Sequence, residues 1–287
     1  HASFLMGSGS LALWQGDMVE AGQCLQDGIA IFRELGDERR LAITLLGRGV
    51  LALYQGDTAV AQAKFEESLA IGKRLELWWI IGDSLLNLGN VAIAQGNYKS
   101  ARNWLEQAET VAKSHNERWL MANVLNNLGE LARIQGDYEQ ARTSYEESQT
   151  LFQSMKARSD VARALHNLGF VALHQLDYEQ AAANFKEGLN IFQELGNKRG
   201  MAECLAGLAG LAIRQDRPQQ AVRLLAAAES QICTSGASWW PADQVEYERS
   251  LALIQAALDQ ETFVVNWDEG QAISLSQAIS DAFWLHI

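Results

Sequence analysis

The sequence predicts an all-α solenoid of six helix pairs closed by a C-terminal helical cap. Three observations carry that reading. A Gln-anchored motif returns every 40 residues, as Gln15-Gly16-Asp17, Gln55-Gly56-Asp57, Gln95-Gly96-Asn97, Gln135-Gly136-Asp137, Gln175-Leu176-Asp177 and Gln215-Asp216-Arg217. Apolar residues around each anchor fall at helical spacing. Only two prolines, Pro218 and Pro241, occur in 287 residues, so long helices run uninterrupted. A fixed period in this range marks a repeat array, in which each unit buries its apolar face only against its neighbours. The array fills residues 1–234 as six repeats of 40 residues, and a distinct tail fills residues 235–287.

The fourth repeat shows how each element arises. Leu125, Leu128, Gly129 and Ala132 stand at i, i+3, i+4 and i+7, one stripe of a helix. Gly136 suits a left-handed helix terminus, and Asp137 suits the N-cap of a second helix starting at Tyr138. That helix carries Ala141, Tyr145, Ser148 and Leu151-Phe152 on one face. The other repeats keep the register. Six residues before each anchor Gln stands Gly9, Gly49, Gly89, Gly129, Gly169 or Ala209, and three before it always Ala. Six after it is again Ala, from Ala21 to Ala221, and four further on a large apolar residue: Leu25, Phe65, Leu105, Tyr145, Phe185 or Leu225. Small residues let two helix backbones approach, and the large one fills the space beside them. In the tail, Pro241 fits the first turn of a helix reaching about Leu258. A shorter helix holds Phe263, Val264, Val265 and Trp267, and Ser274 caps a last one through Leu285. Trp239, Trp240, Phe283 and Trp284 read as cap packing.

Composition narrows the function. The net charge is −12, from 35 acidic and 23 basic residues, and there is no basic run. Phosphate backbones need clustered Lys and Arg, so direct nucleic-acid binding is not expected. Cys24, Cys204 and Cys233 are too scattered for a zinc site or a CxxC redox motif, and they read as reduced, which points to the cytoplasm. No apolar run reaches the ~18 residues of a spanning helix, so no membrane role is expected. The chain starts at His1, already in helical pattern and with no signal peptide, as expected of a piece of a longer protein.

The combination LxxLGxxA, then QGDY, then Ala, Tyr or Phe, resembles the tetratricopeptide repeat over about 230 residues. The resemblance implies a right-handed superhelix whose first helices line a concave groove. Two departures stand out: the unit is 40 residues rather than the usual 34, and the helix-ending Pro is replaced by linkers such as Glu34-Leu35-Gly36-Asp37 and Glu194-Leu195-Gly196-Asn197. The Leu-Gly-Asp linkers are also similar to the long-unit arrays of bacterial signal-transduction ATPases with numerous domains, including maltose-activator-like regulators. So are tail segments such as Tyr247-Glu248-Arg249 and Trp267-Asp268-Glu269-Gly270. That resemblance implies a sensor module joined to upstream ATPase and DNA-binding domains. The chain itself carries no GxxxxGK phosphate loop.

A second stripe on each first helix is left for ligand. It reads Asp83, Asn87 and Asn90 in the third repeat, and Asn123, Asn126, Asn127 and Glu130, with Arg133 close by, in the fourth. In the fifth it reads Arg163, His166, Asn167, Phe170 and His174, and in the sixth it ends on Arg214. The first two repeats are more apolar there, with Met6 and Trp14, then Ile43, Leu46, Val50 and Tyr54. Asn87, Asn127 and Asn167 share one register position. Their amides match the C=O and N–H of an extended peptide, or else join neighbouring helices. Arg133, Arg163 and Arg214 suit a carboxylate or phosphate. His166 and His174 stand eight residues apart, beyond the i, i+4 spacing of a two-His metal pair. Trp79 and Trp119 hold equivalent places before successive first helices, either packing between repeats or forming a binding rim. No spacing suggests catalysis. The expected protein is therefore non-enzymatic, with no metal or cofactor. It binds a protein or peptide, or a small-molecule inducer, as a sensor. The alternative is a stand-alone adaptor.

Overall fold

The computed structural model describes residues 18–283. The first helix of the first repeat, with Met6, Trp14 and the first anchor, lies outside the described residues, as do Trp284 and Leu285. Among the described residues the chain is helical throughout, in fourteen helices and no strand. It divides into two compact units, His1–Leu131 with Ser235–Ser238, and Ala132–Thr234 with Trp239–Ile287.

The first unit holds α1 (Met18–Leu35), α2 (Glu38–Tyr54), α3 (Thr58–Arg74), α4 (Trp78–Ala94), α5 (Tyr98–His115) and most of α6 (Arg118–Ile134). The second holds the end of α6, then α7 (Tyr138–Ser154), α8 (Arg158–His174), α9 (Tyr178–Glu194), α10 (Lys198–Arg214) and α11 (Pro218–Thr234). The tail adds α12 (Pro241–Ala257), α13 (Gln260–Ala272) and α14 (Leu275–Phe283).

The period of 40 is two equal steps. From Met18 to Pro218 each helix begins 20 residues after the last, and most are 17 residues long, about 25 Å at the α-helical rise. From α1 to α11 each linker is the same turn, whether it lies inside a repeat or between repeats. Its middle residue is left-handed at Gly36, Gly56, Glu76, Gly96, Asn116, Gly136, Lys156, Leu176, Gly196 and Asp216. In the 55–57 turn, Asp57 N donates to Ala52 O at 2.8 Å and Gly56 N to Leu53 O at 3.0 Å, so the orphan carbonyls of α2 are satisfied. The next residue caps the following helix. Asp37, Asp57, Asn97, Asp137, Asp177 and Asn197 each accept the backbone N–H three residues on. Adding one uniform turn per helix, with no proline stop, produces the long unit.

The small-residue positions work as the sequence predicts. A Cβ on Gly49 would lie 2.5 Å from the Phe65 ring, and one on Gly169 would lie 2.6 Å from Phe185. The flanking alanines, Ala52, Ala61, Ala172 and Ala181, are buried. In the second unit one core runs from α8 to α11 and continues into the tail through Tyr247, Ile254, Ala278, Ile279 and Ala282. Pro241 opens α12, Asp259 caps α13, and Ser274 Oγ accepts Gln277 N at 3.1 Å ahead of α14. The tail covers α11 with α13 and α14, and lays α12 against α10. Among the described residues no helix is long and apolar enough to cross a membrane.

Candidate functional site

In the first unit the stripe residues largely bond one another. Asn87 donates to Asp83 O at 2.8 Å and Asn123 to Trp119 O at 2.9 Å, each one turn back along its own helix. Asn126 donates to Glu130 Oε1 at 2.8 Å, and Asn127 donates to Asn90 Oδ1 at 2.5 Å, tying α6 to α4. Asn90, Asn123, Asn126, Asn127 and Glu130 are all buried. Burying an amide stabilises only when its hydrogen bonds are made, and here the neighbours supply them. Asp83 differs. It lines a cavity with Trp78, Trp79, Glu117, Trp119 and Leu120. Burial and the charge of Glu117 push its carboxyl up to about 6.

In the second unit the tail itself occupies the stripe. Asp243 and Glu246, on the face of α12 that meets the repeats, reach Arg133 of α6 and the imidazoles of His166 and His174 on α8. Arg133 Nη2 donates to Asp243 Oδ1 at 3.1 Å, Arg133 Nη1 lies 3.7 Å from Glu246 Oε1, and His166 Nε2 lies 3.2 Å from Asp243 Oδ1. His174 Nε2 lies 2.9 Å from Glu246 Oε1, and its ring stacks on Tyr138 at 4.6 Å. Arg249, one turn on, donates to Glu246 Oε2 at 3.2 Å. Arg133 Nη2 also donates to Asn167 Oδ1 at 3.4 Å, and its guanidinium lies 4.8 Å from the Phe170 ring centre. Arg133 and Asp243 are only 3% and 7% exposed, so this is a buried ion network rather than a surface pair. Burial by itself would raise the Asp243 carboxyl, but His166 and Arg133 outweigh it and hold it down to about 2. The same opposition leaves Glu246 below its ordinary value: burial pushes it up, and His174 and Arg133 pull it further down.

The structure thus gathers Arg133, His166, Asn167, Phe170 and His174 around α12. Arg163 faces other partners, Asp160 at 3.0 Å and the Phe152 ring at 5.6 Å. Arg214 donates to Gly210 O at 3.4 Å, and burial lowers its pKa against the opposing pull of Glu246. Asn87, Asn127 and Asn167 share a register position but not a role, bonding respectively their own helix, a neighbouring helix and an arginine. The sequence reading missed Asp243, Glu246 and Arg249. Asp243, Glu246 and Ser250 stand at i, i+3 and i+7, a polar stripe on a helix that also buries Tyr247 and Ile254; that mixture was the available signal. Cys204 is buried in the same unit, and burial together with the charges of Glu203 and Asp243 pushes its thiol well up. That is the reverse of an activated nucleophile.

Paired helices stacked through small-residue contacts define a helical repeat scaffold of the kind that presents binding surfaces. The chain belongs to the tetratricopeptide repeat family, whose profile matches residues 1–74, 81–154 and 160–230. Among solved structures it is similar to a Rap protein complexed with competence and sporulation factor. There the identity is 14%, the match covers 89% of this chain and 75% of the other, and the TM-score is 0.67. It is also similar to the Rap conjugation gene regulator of plasmid pLS20 in complex with the Phr* peptide, at 17% identity, 91% and 77% coverage and a TM-score of 0.64. BtubC from P. vanneervenii matches at 16% identity, 83% and 94% coverage and a TM-score of 0.55. No curated protein matches the sequence.

Proposed function

We propose that this chain is a non-enzymatic peptide- or protein-binding module that works as a sensor, with α12 as an internal occupant of its binding stripe. One observation carries the reading: α12 places Asp243 and Glu246 on Arg133, His166 and His174, as an acidic partner segment would. Membership of the repeat family supports a binding role, and so do the peptide-bound Rap structures of similar fold. A partner bearing carboxylates competes with α12 for the same Arg133 guanidinium and His166 and His174 imidazoles. Since a ligand shifts a two-state equilibrium only by its differential affinity, the partner must repay the buried pairs it breaks. That cost keeps the module closed until an inducer of the right charge arrives.

Placed in a larger cytoplasmic signalling ATPase or transcription regulator, as the linkers and tail suggest, displacement of α12 would report inducer binding to upstream domains. The second reading, a stand-alone adaptor, calls for a stripe standing open to its partners; the internal occupant favours the sensor. The test uses a labelled synthetic peptide of residues 239–258 and the full chain. Asp243→Asn with Glu246→Gln loosens the internal helix, and this double variant should capture the peptide while the wild-type chain does not. Equal, negligible capture by both folded proteins would contradict the reading.

A further inference from the structure

A second site lies in the first unit, independent of α12 and of the reading above. The N-terminal turns of α4 and α6, with the linker residue Glu117, enclose a cavity of about 240 Å³ lined by Trp78, Trp79, Asp83, Glu117, Trp119 and Leu120. It is smaller than the pockets of roughly 300–1,000 Å³ that take drug-sized ligands, and it suits a small head group. Its chemistry is one-sided: three indoles, two carboxylates and no cation in the lining.

Two features of the structure say what that chemistry wants. The first is an internal precedent. Arg39, Trp79 and Trp119 occupy the same register position in successive repeats, 40 residues apart. The Arg39 guanidinium sits 5.9 Å from the centre of the Trp79 ring, so this row of the scaffold already pairs a cation with an indole face. One repeat further on, the residues lining the cavity between Trp79 and Trp119 include no cation. The second is Asp83. Asp83 lines the cavity, and its carboxylate makes no hydrogen bond or ion pair among the described residues. A largely buried carboxylate without a partner is costly, and a cation in the cavity removes that cost. Glu117 is already oriented, since its Oε1 accepts the backbone N–H of Trp119 at 3.0 Å. That bond also uses an N–H at the start of α6 that would otherwise favour an anion. The Trp78 ring is fixed by stacking on His115 at 4.6 Å.

We infer that the Trp78–Trp79–Trp119 cavity binds the alkylammonium head of a small organic molecule, with the indole faces taking the cation and Asp83 and Glu117 balancing its charge. Aromatic cages of this make-up are the recognised receptors of quaternary ammonium groups.

The experiment titrates the full chain with tetramethylammonium or choline and follows the tryptophan indole N–H signals by NMR, with sodium chloride matching ionic strength. The result expected is saturable shifts of three indoles, a roughly tenfold weaker affinity in Asp83→Asn and a comparable loss in Trp119→Leu. The uncharged carbon analogue of choline, 3,3-dimethylbutanol, should not bind. Trp119 is exposed and Asp83→Asn removes a charge, so both variants should fold, which melting curves check. Three results would overturn the proposal: equal binding of the neutral analogue, unchanged affinity in Asp83→Asn, and no saturable response beyond the salt control.

Discussion

Two carboxylates on related faces of the repeat scaffold have opposite fates. Asp83, in the first unit, lies beside another carboxylate and three indoles, and it is pushed up to about 6. Asp243, in the second, is more deeply buried yet is held down to about 2, because Arg133 and His166 meet it. Burial raises both; the counter-charge decides the sign. In the second unit that counter-charge works only because a segment from outside the repeats supplies the acid. In the first, the acids belong to the repeats and the cation is left to a ligand.

Arg133→Met should cost about 2–4 kcal/mol, since it takes the shared guanidinium from two buried carboxylates and leaves Asp243 to His166 and Glu246 to His174 and Arg249. In the first unit the counterpart change, Asp83→Asn, should raise stability at neutral pH, because it removes an unpaired charge. Denaturant unfolding of the two variants beside wild type checks both signs; a mild loss in Arg133→Met would mean that water or Arg249 substitutes for the guanidinium.

A smaller effect separates the turns. Leu176 holds the left-handed position that glycine fills at residues 56, 96 and 136, and its side chain is 68% exposed. Leu176→Gly should therefore stabilise the second unit by about 1 kcal/mol or less, strain relief being partly offset by a more flexible unfolded chain. Thermal unfolding would show it as a small rise in Tm.

Much of this was legible in the sequence. The 40-residue register gave the helix pairs, the Asp137 cap and the Tyr138 start, and Pro241 marked the start of α12. The equality of linkers and intra-repeat turns was hidden, because Glu76, Asn116, Lys156, Leu176 and Asp216 hold a conformation that sequence reading assigns to glycine. The amide stripe was legible as polar residues on one face, but not as buried groups that satisfy one another, since Asn127 finds Asn90 across 37 positions. The occupation of the second-unit stripe was not legible. Arg133 and Asp243 are 110 residues apart, and no local period encodes a contact between a repeat and a tail helix.

Hydrogen exchange of α4 and α12 across pH, corrected for intrinsic rates, reads the two carboxylate environments separately. Asp83 has a folded-state pKa above its ordinary 3.8, so its ionisation destabilises the fold as pH rises from there through about 6. Asp243 and Glu246 are depressed, so their contribution is present above their ordinary values of 3.8 and 4.5 and is lost as pH falls toward 2. On acidification from neutral pH the protection of α4 should rise first, through about pH 6, while α12 holds. Below about pH 4.5 the protection of α12 should then collapse. Parallel loss in both helices, or an α12 indifferent to acid, would contradict this order.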